Sequence, residues 1–193
     1  MRSATLLPEP IPDIRSLTRW IVWKEVRRLE KDKPDKVPCN PLTGRTSSVT
    51  SSHTGKSYEV AIHRLAKGRH DGLGLILRPP MIGVDLDNCR DPLTGRIEPW
   101  ALEIVEKLDS YTEISPTGTG LHILIRGVLP RAVKTDRVEI YWEGRYFTYT
   151  GMHLDGTPTV ISHRVDEIMD LYSTYAPAAK QPLAKVAQQD LLR

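Results

Sequence analysis

Two aspartates separated by one residue end the apolar run MIGVDLD, residues 81–87. On a β-strand, residues i and i+2 point to the same face, so Asp85 and Asp87 would project side by side. Val84 and Leu86 would then face the core. Two adjacent carboxylates repel each other, and a hard divalent cation such as Mg²⁺ removes the conflict while keeping substrate phosphates in its shell. The pair indicates metal-dependent chemistry on a phosphate, with a solvated strand end and an Asx turn as the alternative.

A segment rich in glycine and hydroxyl residues, SPTGTGLHILI (115–125), leads into a second apolar run. Such a segment can form a tight loop whose N–H groups converge on an anion. His122 begins the strand pattern, shares a face with Leu124 and Arg126, and could donate to a phosphate. A plain loop and a hydrogen-bonded histidine are the alternative. The segment is not a Walker A loop, since the single Gly-Lys-Ser at residues 55–57 lacks the required earlier glycine.

An acidic residue also interrupts a third apolar segment, VEIYWEGRYFTYTG (138–151). Glu139 lies between Val138 and Ile140, and burying a carboxylate is costly unless it is paired or bound to a metal. Both explanations stay open: an ion pair with a nearby arginine, or a metal ligand. In a strand, Tyr141 would share the face of Glu139.

The remaining pattern predicts one α+β domain over residues 1–175, mostly sheet with a few helices, because 193 residues can enclose a real core. The predicted strands are residues 19–26, 72–77, 81–87, 111–114, 121–127, 138–143, 145–151 and 159–162. The predicted helices are residues 57–68, 98–109 and 164–175. The strands 72–77 and 81–87 are expected to pair with each other.

Three segments predict irregular structure. Residues 1–13 contain three prolines and form a loose lead-in, and residues 30–57 are polar and rich in breakers, which predicts a long loop. Residues 176–193, rich in Ala, Pro and Gln, predict a linker or the start of a C-terminal region. The related sequences NPLTGR and DPLTGR indicate two similar turns.

The composition excludes several classes of protein. The 27 basic against 24 acidic residues give a net charge of +3, which suits a nucleic-acid partner without requiring one. The two cysteines, Cys39 and Cys89, form no CxxC pair or zinc spacing and indicate buried or free thiols. No basic-then-apolar leader precedes the domain, and no apolar run approaches the ~18 residues of a membrane span. We therefore expect a cytoplasmic protein.

The three motifs, in this order, resemble those of the archaeo-eukaryotic primase superfamily, and more narrowly the bifunctional primase-polymerase domains of phages and plasmids. The resemblance is carried by KVPCNPLTG, DGLGLIL, GVDLDNC, SYTEISPTGTGLHI, VEIYWEGRYFTYTG and TVI, which span most of residues 36–161. It implies a catalytic domain with a modified RRM-like mixed sheet flanked by helices and an added N-terminal α/β part.

The resemblance also implies an activity and a set of site residues. The activity would be template-directed nucleotidyl transfer, as DNA primase, DNA polymerase or both, with two divalent ions, Mg²⁺ or Mn²⁺. Asp85, Asp87 and Glu139 would hold the metals, although the third carboxylate is often Asp in the wider superfamily. His122 would join them as a catalytic residue. The implied nucleotide-binding residues are Lys36, Ser115, Thr117, Gly118, Thr119, Gly120, His122, Arg145 and Tyr146.

The implied partners are a single-stranded DNA template, dNTP or NTP substrates and, in a full-length protein, a helicase module, in replication of a phage, plasmid or other mobile element. Basic residues within 23–33 and 126–137 would contact the template backbone, with Trp142 or Tyr141 as a stacking surface, unless these charges form a solvated face. Two other functions stay open: a non-catalytic nucleic-acid-binding replication module, and a metal-dependent nuclease or initiator. A relaxase-like initiator would need a histidine pair, and the remaining histidines form none.

Overall fold

A computed structural model describes residues 8–31 and 33–176, and within these ranges the chain forms four helices and nine strands. The helices are α1 (Pro12–Arg15), α2 (Tyr58–Leu65), α3 (Pro99–Leu108) and α4 (Val165–Tyr175). The strands are β1 (Trp20–Val26), β2 (Asp35–Cys39), β3 (Gly72–Ile76), β4 (Met81–Leu86), β5 (Thr112–Ile114), β6 (Leu121–Arg126), β7 (Val133–Lys134), β8 (Val138–Tyr141) and β9 (Tyr146–Tyr149).

The strands form two antiparallel sheets. The four-stranded sheet has the order β2-β1-β3-β9, and the five-stranded sheet has the order β5-β6-β4-β8-β7. The predicted α+β class is confirmed, but the expectation of a mixed sheet is wrong, since every pairing between the described strands is antiparallel. The RRM-like arrangement stays a prediction. The four-stranded sheet is built mainly from N-terminal elements and gains β9 from later in the chain.

The predicted pairing of residues 72–77 with 81–87 is wrong. β3 pairs with β1 and β9, whereas β4 pairs with β6 and β8, so the two strands belong to different sheets. The link Arg78-Pro79-Pro80 separates them, and two prolines without N–H groups cannot continue a ladder. The strand predicted at 159–162 is also absent there, because the amides of Ile161 and Ser162 bond to side chains rather than to a neighbouring strand.

Residues 30–57 are not one long loop, since they contain β2. Charges and Pro38 conceal this strand in the sequence, but β2 is an edge strand, where proline is tolerated. The predicted similarity of the turns 40–45 and 91–96 is confirmed. In each turn the Asx carboxamide or carboxylate oxygen accepts from the amide two residues on, and the first amide donates to the arginine carbonyl.

One face of the five-stranded sheet packs against α3 and α4. The residues that this face contributes to the core alternate along three strands: Ile82, Val84 and Leu86 of β4, Leu121, Ile123 and Ile125 of β6, and Val138 and Ile140 of β8. This confirms that Val84 and Leu86 anchor β4. The intervening residues, among them Asp85, His122 and Glu139, point to the opposite face.

That opposite face meets the four-stranded sheet through β9. Gly83 of β4 allows the close approach, because a Cβ built there would lie 2.5 Å from Cε2 of Phe147. The Thr148 carbonyl lies 3.1 Å from a ring nitrogen of His122. Phe147 also belongs to a second core cluster that contains Trp20, Leu75 and residues of α2. The approach of β9 therefore brings the second sheet against the polar face of the first.

Residues 177–193, most of the predicted linker, lie outside the described residues. Among the described helices, none is long and apolar enough to cross a bilayer. Cys39 and Cys89 are both buried free thiols, as predicted.

Candidate active site

One row across the five-stranded sheet carries an ionisable residue on every strand. From edge to edge, the register aligns Glu113 of β5, His122 of β6, Asp85 of β4, Glu139 of β8 and Lys134 of β7. Residues directly opposite in antiparallel strands have Cβ atoms about 4.5–5.5 Å apart, so each side chain interacts with the next. The row joins residues from three separate sequence motifs at one level of the sheet.

The Asp85 carboxylate is destabilised mainly by burial, with two further carboxylates nearby. Burial raises the pKa of Asp85; nearby His122 opposes this rise, and the Asp87 and Glu139 carboxylates add to it. Asp87 lies one residue beyond β4, where its amide donates to the Arg137 carbonyl at 2.9 Å. Such crowding of carboxylates is the electrostatic condition that a bound cation relieves.

Glu139 has two partners on its own face of the sheet. Its side chain forms an ion pair with Lys134 on the edge strand β7, and it accepts a hydrogen bond from the Tyr141 hydroxyl at 2.9 Å. The ion-pair partner is thus a lysine, not the arginine considered from the sequence. Arg145 instead places its guanidinium 5.0 Å from the centre of the Tyr141 ring.

The donor set fits a hard divalent cation by its chemistry. Three carboxylates, Asp85, Asp87 and Glu139, supply the oxygen ligands that Mg²⁺ and Mn²⁺ favour. Across residues 8–31 and 33–176, no three acidic, histidine or cysteine side chains converge as a ready-made metal site. Glu139 is directed at Lys134, so holding a metal would require Glu139 to exchange the ammonium group for the ion.

His122 is buried between acceptors on both sides of its ring. Nδ1 lies 3.1 Å from the Thr148 carbonyl and 3.5 Å from Oε1 of Glu113, and Nε2 lies 3.7 Å from Oδ1 of Asp85. Burial lowers the pKa of His122, but the Glu113 and Asp85 carboxylates outweigh it, so the net shift is upward. The ring therefore presents Nε2 to Asp85 and the space beyond it.

Glu113 was not selected from the sequence as a site residue. It is only 1% exposed, on the short strand β5, directly opposite His122. The signal was an acid within the apolar run YTEI, the same pattern that singled out Glu139. That run is short, however, and its burial depends on contacts with the chain near residue 150.

A cavity of about 200 Å³ lies over the row, between the five-stranded sheet and β9. It brings together six of the residues predicted for the site: Lys36, Asp85, His122, Glu139, Arg145 and Tyr146. Burial lowers the pKa of Lys36, while Asp85, Glu25 and Asp87 oppose the shift. The Tyr146 hydroxyl donates to the Lys36 carbonyl at 2.7 Å, which ties β9 to β2 and holds Lys36 beside the carboxylates.

The residues of the predicted loop Ser115–Gly120 are not among those that line this cavity. The Gly118 amide donates to the Ser115 carbonyl, and the Gly120 amide donates to the Ser115 hydroxyl, so both are used within the turn. The Thr117 and Thr119 hydroxyls contact each other at 2.8 Å on the surface. The loop packs against the segment that follows Asp87, since the Cys89 and Arg90 amides donate to the Thr119 carbonyl.

Carboxylates, a histidine and a lysine around one cavity of an α+β domain are the groups expected of a phosphate-handling enzyme domain. The chain is 34% identical over 158 residues to a protein named DNA primase-polymerase from Nitratiruptor phage NrS-1. The match covers 76% of the chain and 21% of that protein, so the chain spans about a fifth of the relative's length. No protein-family model matches the chain. On the basis of its identity to this relative, the chain belongs to the phage-type primase-polymerase domains.

Proposed function

We propose that this domain catalyses template-directed nucleotidyl transfer, as a DNA primase, a DNA polymerase or both, in replication of a phage or plasmid. The observation that carries the proposal is the row in which Asp85, His122 and Glu139 stand side by side, facing a cavity that also receives Lys36. The similarity to a phage DNA primase-polymerase supports the same activity.

In this proposal the three carboxylates Asp85, Asp87 and Glu139 hold two divalent ions, Mg²⁺ or Mn²⁺. When bound, such ions stabilise the attacking and leaving oxygens in phosphoryl transfer. These carboxylates would hold the ions near the end of β4, whose opposite face is anchored in the core. Burial and the neighbouring carboxylates raise the pKa of Asp85, and a bound cation would favour its ionised form.

The cationic and hydrogen-bonding groups around the cavity bind the triphosphate of the incoming nucleotide. With hydrogen on both ring nitrogens, His122 donates from Nε2 to the phosphates, and Lys36 and Arg145 offset phosphate charge from the β2 and β9 sides. The Tyr146 hydroxyl holds Lys36 in place by donating to the backbone carbonyl of Lys36. These residues position and neutralise the substrate, which is most of what phosphoryl transfer requires from a protein.

The Ser115–Gly120 turn contributes to substrate binding through hydroxyl groups on its outer surface. The Gly118 and Gly120 amides are used within the turn, so the Thr117 and Thr119 hydroxyls, one of which donates to the other, are the polar groups that it offers at the surface. We assign these hydroxyls to the phosphates or to the strand that crosses the end of β4. Ser115 acts from within by holding the turn closed.

A single-stranded DNA template and dNTP or NTP substrates follow from this activity, and a helicase module and a cytoplasmic location stay hypotheses. Several basic residues expected to meet the template are engaged within the protein. Arg28 and Lys31 pair with Asp35, and Arg126 pairs with Asp13. Arg137 lies over the Trp100 ring beside the end of β4 and is the better placed to meet a nucleic-acid backbone.

The test is extension of a labelled primer on a single-stranded template with Mg²⁺ or Mn²⁺. Asp87→Asn removes a proposed ligand without altering side-chain size, and the exposed Asp136→Asn in the neighbouring turn is the matched control. We expect extension by the wild type and the control and none by Asp87→Asn. Extension by Asp87→Asn would refute the metal assignment. Template cleavage would indicate a nuclease, and nucleic-acid binding without either reaction would indicate a binding module.

A further inference from the structure

We propose that Glu113 is a positioning residue for His122: it fixes the ring so that Nδ1 carries a hydrogen and Nε2 faces the substrate cavity. This inference rests on the proposed function, in which His122 binds the nucleotide phosphates. Glu113 is not among the residues that line the cavity, so in this inference it acts only through the histidine.

The Glu113 carboxylate is held in one position by three donors. Oε1 accepts from the Thr150 amide at 3.0 Å, and Oε2 accepts from the Gly151 amide at 3.1 Å and from the Tyr111 hydroxyl at 3.2 Å. The backbone of Glu113 pairs with His122 of β6 on one side and forms an isolated β-bridge with His153 on the other. A buried carboxylate with this many donors has little freedom to rotate.

This carboxylate and the Thr148 carbonyl place two acceptors beside one nitrogen of His122. Nδ1 lies 3.5 Å from Oε1 of Glu113 and 3.1 Å from the Thr148 oxygen. Neither oxygen can donate, so the favoured arrangement has a hydrogen on Nδ1. The Phe147 ring packs beside the imidazole, with 5.2 Å between the two ring centres, and limits sideways movement of the His122 ring. Nε2 is left as the nitrogen that faces Asp85 and the cavity.

Glu113 therefore connects the turn after β9 with the catalytic row. A purely structural role would be to satisfy the Thr150 and Gly151 amides, and the position opposite His122 would then be incidental. The two roles differ in what they predict. A positioning role requires that the effect of changing Glu113 on nucleotide use disappears when His122 is already absent.

The kinetic test is a double-mutant cycle on the full chain. Glu113→Gln, His122→Ala and the double variant are compared by the KM for dNTP in primer extension and by dNTP binding to the protein alone. Glu106→Gln, the same substitution at an exposed glutamate of α3, is the matched control. Removing a residue that orients a ligand typically costs about 10-fold or more, so we expect Glu113→Gln to raise the KM or the dissociation constant about 10-fold.

In the His122→Ala background, the same Glu113→Gln change should have an effect below about 2-fold, since interacting residues are non-additive. Equal effects of Glu113→Gln in both backgrounds, or an equal effect of Glu106→Gln, would overturn the proposal. Absence of extension by the wild type would refute the proposed function, and the binding cycle would still test Glu113.

A measurement on the wild type avoids dependence on how the variants fold. ¹⁵N-labelled histidine, with His122 assigned by its loss in His122→Ala, reports by NMR which ring nitrogens carry hydrogen. A hydrogen on Nδ1 of His122 in the absence of nucleotide supports the inference. A ring with Nδ1 bare and only Nε2 protonated would overturn it whatever the enzymatic result.

Discussion

Gly83 is the position where one added methyl group should disturb both the core and the site. A Cβ at this residue would lie 2.5, 2.6 and 2.9 Å from Cε2, Cζ and Cδ2 of Phe147. Carbon atoms in contact prefer about 3.5–4.0 Å, so the ring or β9 must shift by about 1 Å. Such overpacking typically costs about 1–3 kcal/mol of unfolding free energy. Gly83 has no positive φ, so space alone opposes the alanine.

The assay for Gly83→Ala is urea unfolding, with Phe147→Leu and the double variant completing the cycle. Leucine lacks the two nearest ring atoms, so Gly83→Ala should cost less than about 0.5 kcal/mol in that background because contacting residues are coupled. Because Phe147 contacts His122 and β9 supplies the Thr148 carbonyl, nucleotide binding should weaken in Gly83→Ala and recover in part in the double variant. Unchanged stability of Gly83→Ala, or a cost that Phe147→Leu does not relieve, would show that the two sheets do not meet in this way.

Two further predictions concern the edge of the row and the buried thiols. Lys134→Ala should free Glu139 for a metal and lower the Mn²⁺ concentration for half-maximal extension by about 2- to 5-fold, the range for an exposed ion pair. The control Lys107→Ala, which removes an ion pair with Asp170 between α3 and α4, should leave that concentration unchanged. A higher Mn²⁺ requirement in Lys134→Ala would show that Lys134 itself serves the reaction. Burial raises the pKa of Cys89 to about 11 and also raises the pKa of Cys39. At pH 8 both thiols should therefore react slowly with a disulfide reagent in the native protein and rapidly once urea unfolds the chain. Fast stoichiometric labelling of the native protein would contradict the packing.

The sequence was most informative about strands whose two faces differ in polarity. In VEIY and LHILIR the apolar residues alternate with Glu139 and His122, and the structure places both on the polar face as the alternation requires. The helices 58–65, 99–108 and 165–175 also lie where amphipathic spacing predicts them. Period and composition are local properties, and the sequence records them directly.

Features that depend on pairing between distant segments could not be predicted in this way. The sequence does not show that β3 leaves β4 for another sheet, or that β7, only two residues long, supplies the partner of Glu139. Glu113 was missed for the same reason. Its three donors come from residues 111, 150 and 151, and the three-residue strand β5 is too short for its apolar pattern to distinguish a buried acid from an exposed one.

The same alternation explains why the row can be assembled so accurately from distant motifs. A slip of β4 by one residue against β6 would turn Asp85 toward the α3–α4 core and Val84 away from it. The apolar face strongly disfavours that slip, so the hydrophobic pattern fixes the register, and the register fixes which ionisable groups stand opposite one another. The geometry of the candidate active site is therefore determined as much by the residues buried beneath it as by the carboxylates themselves.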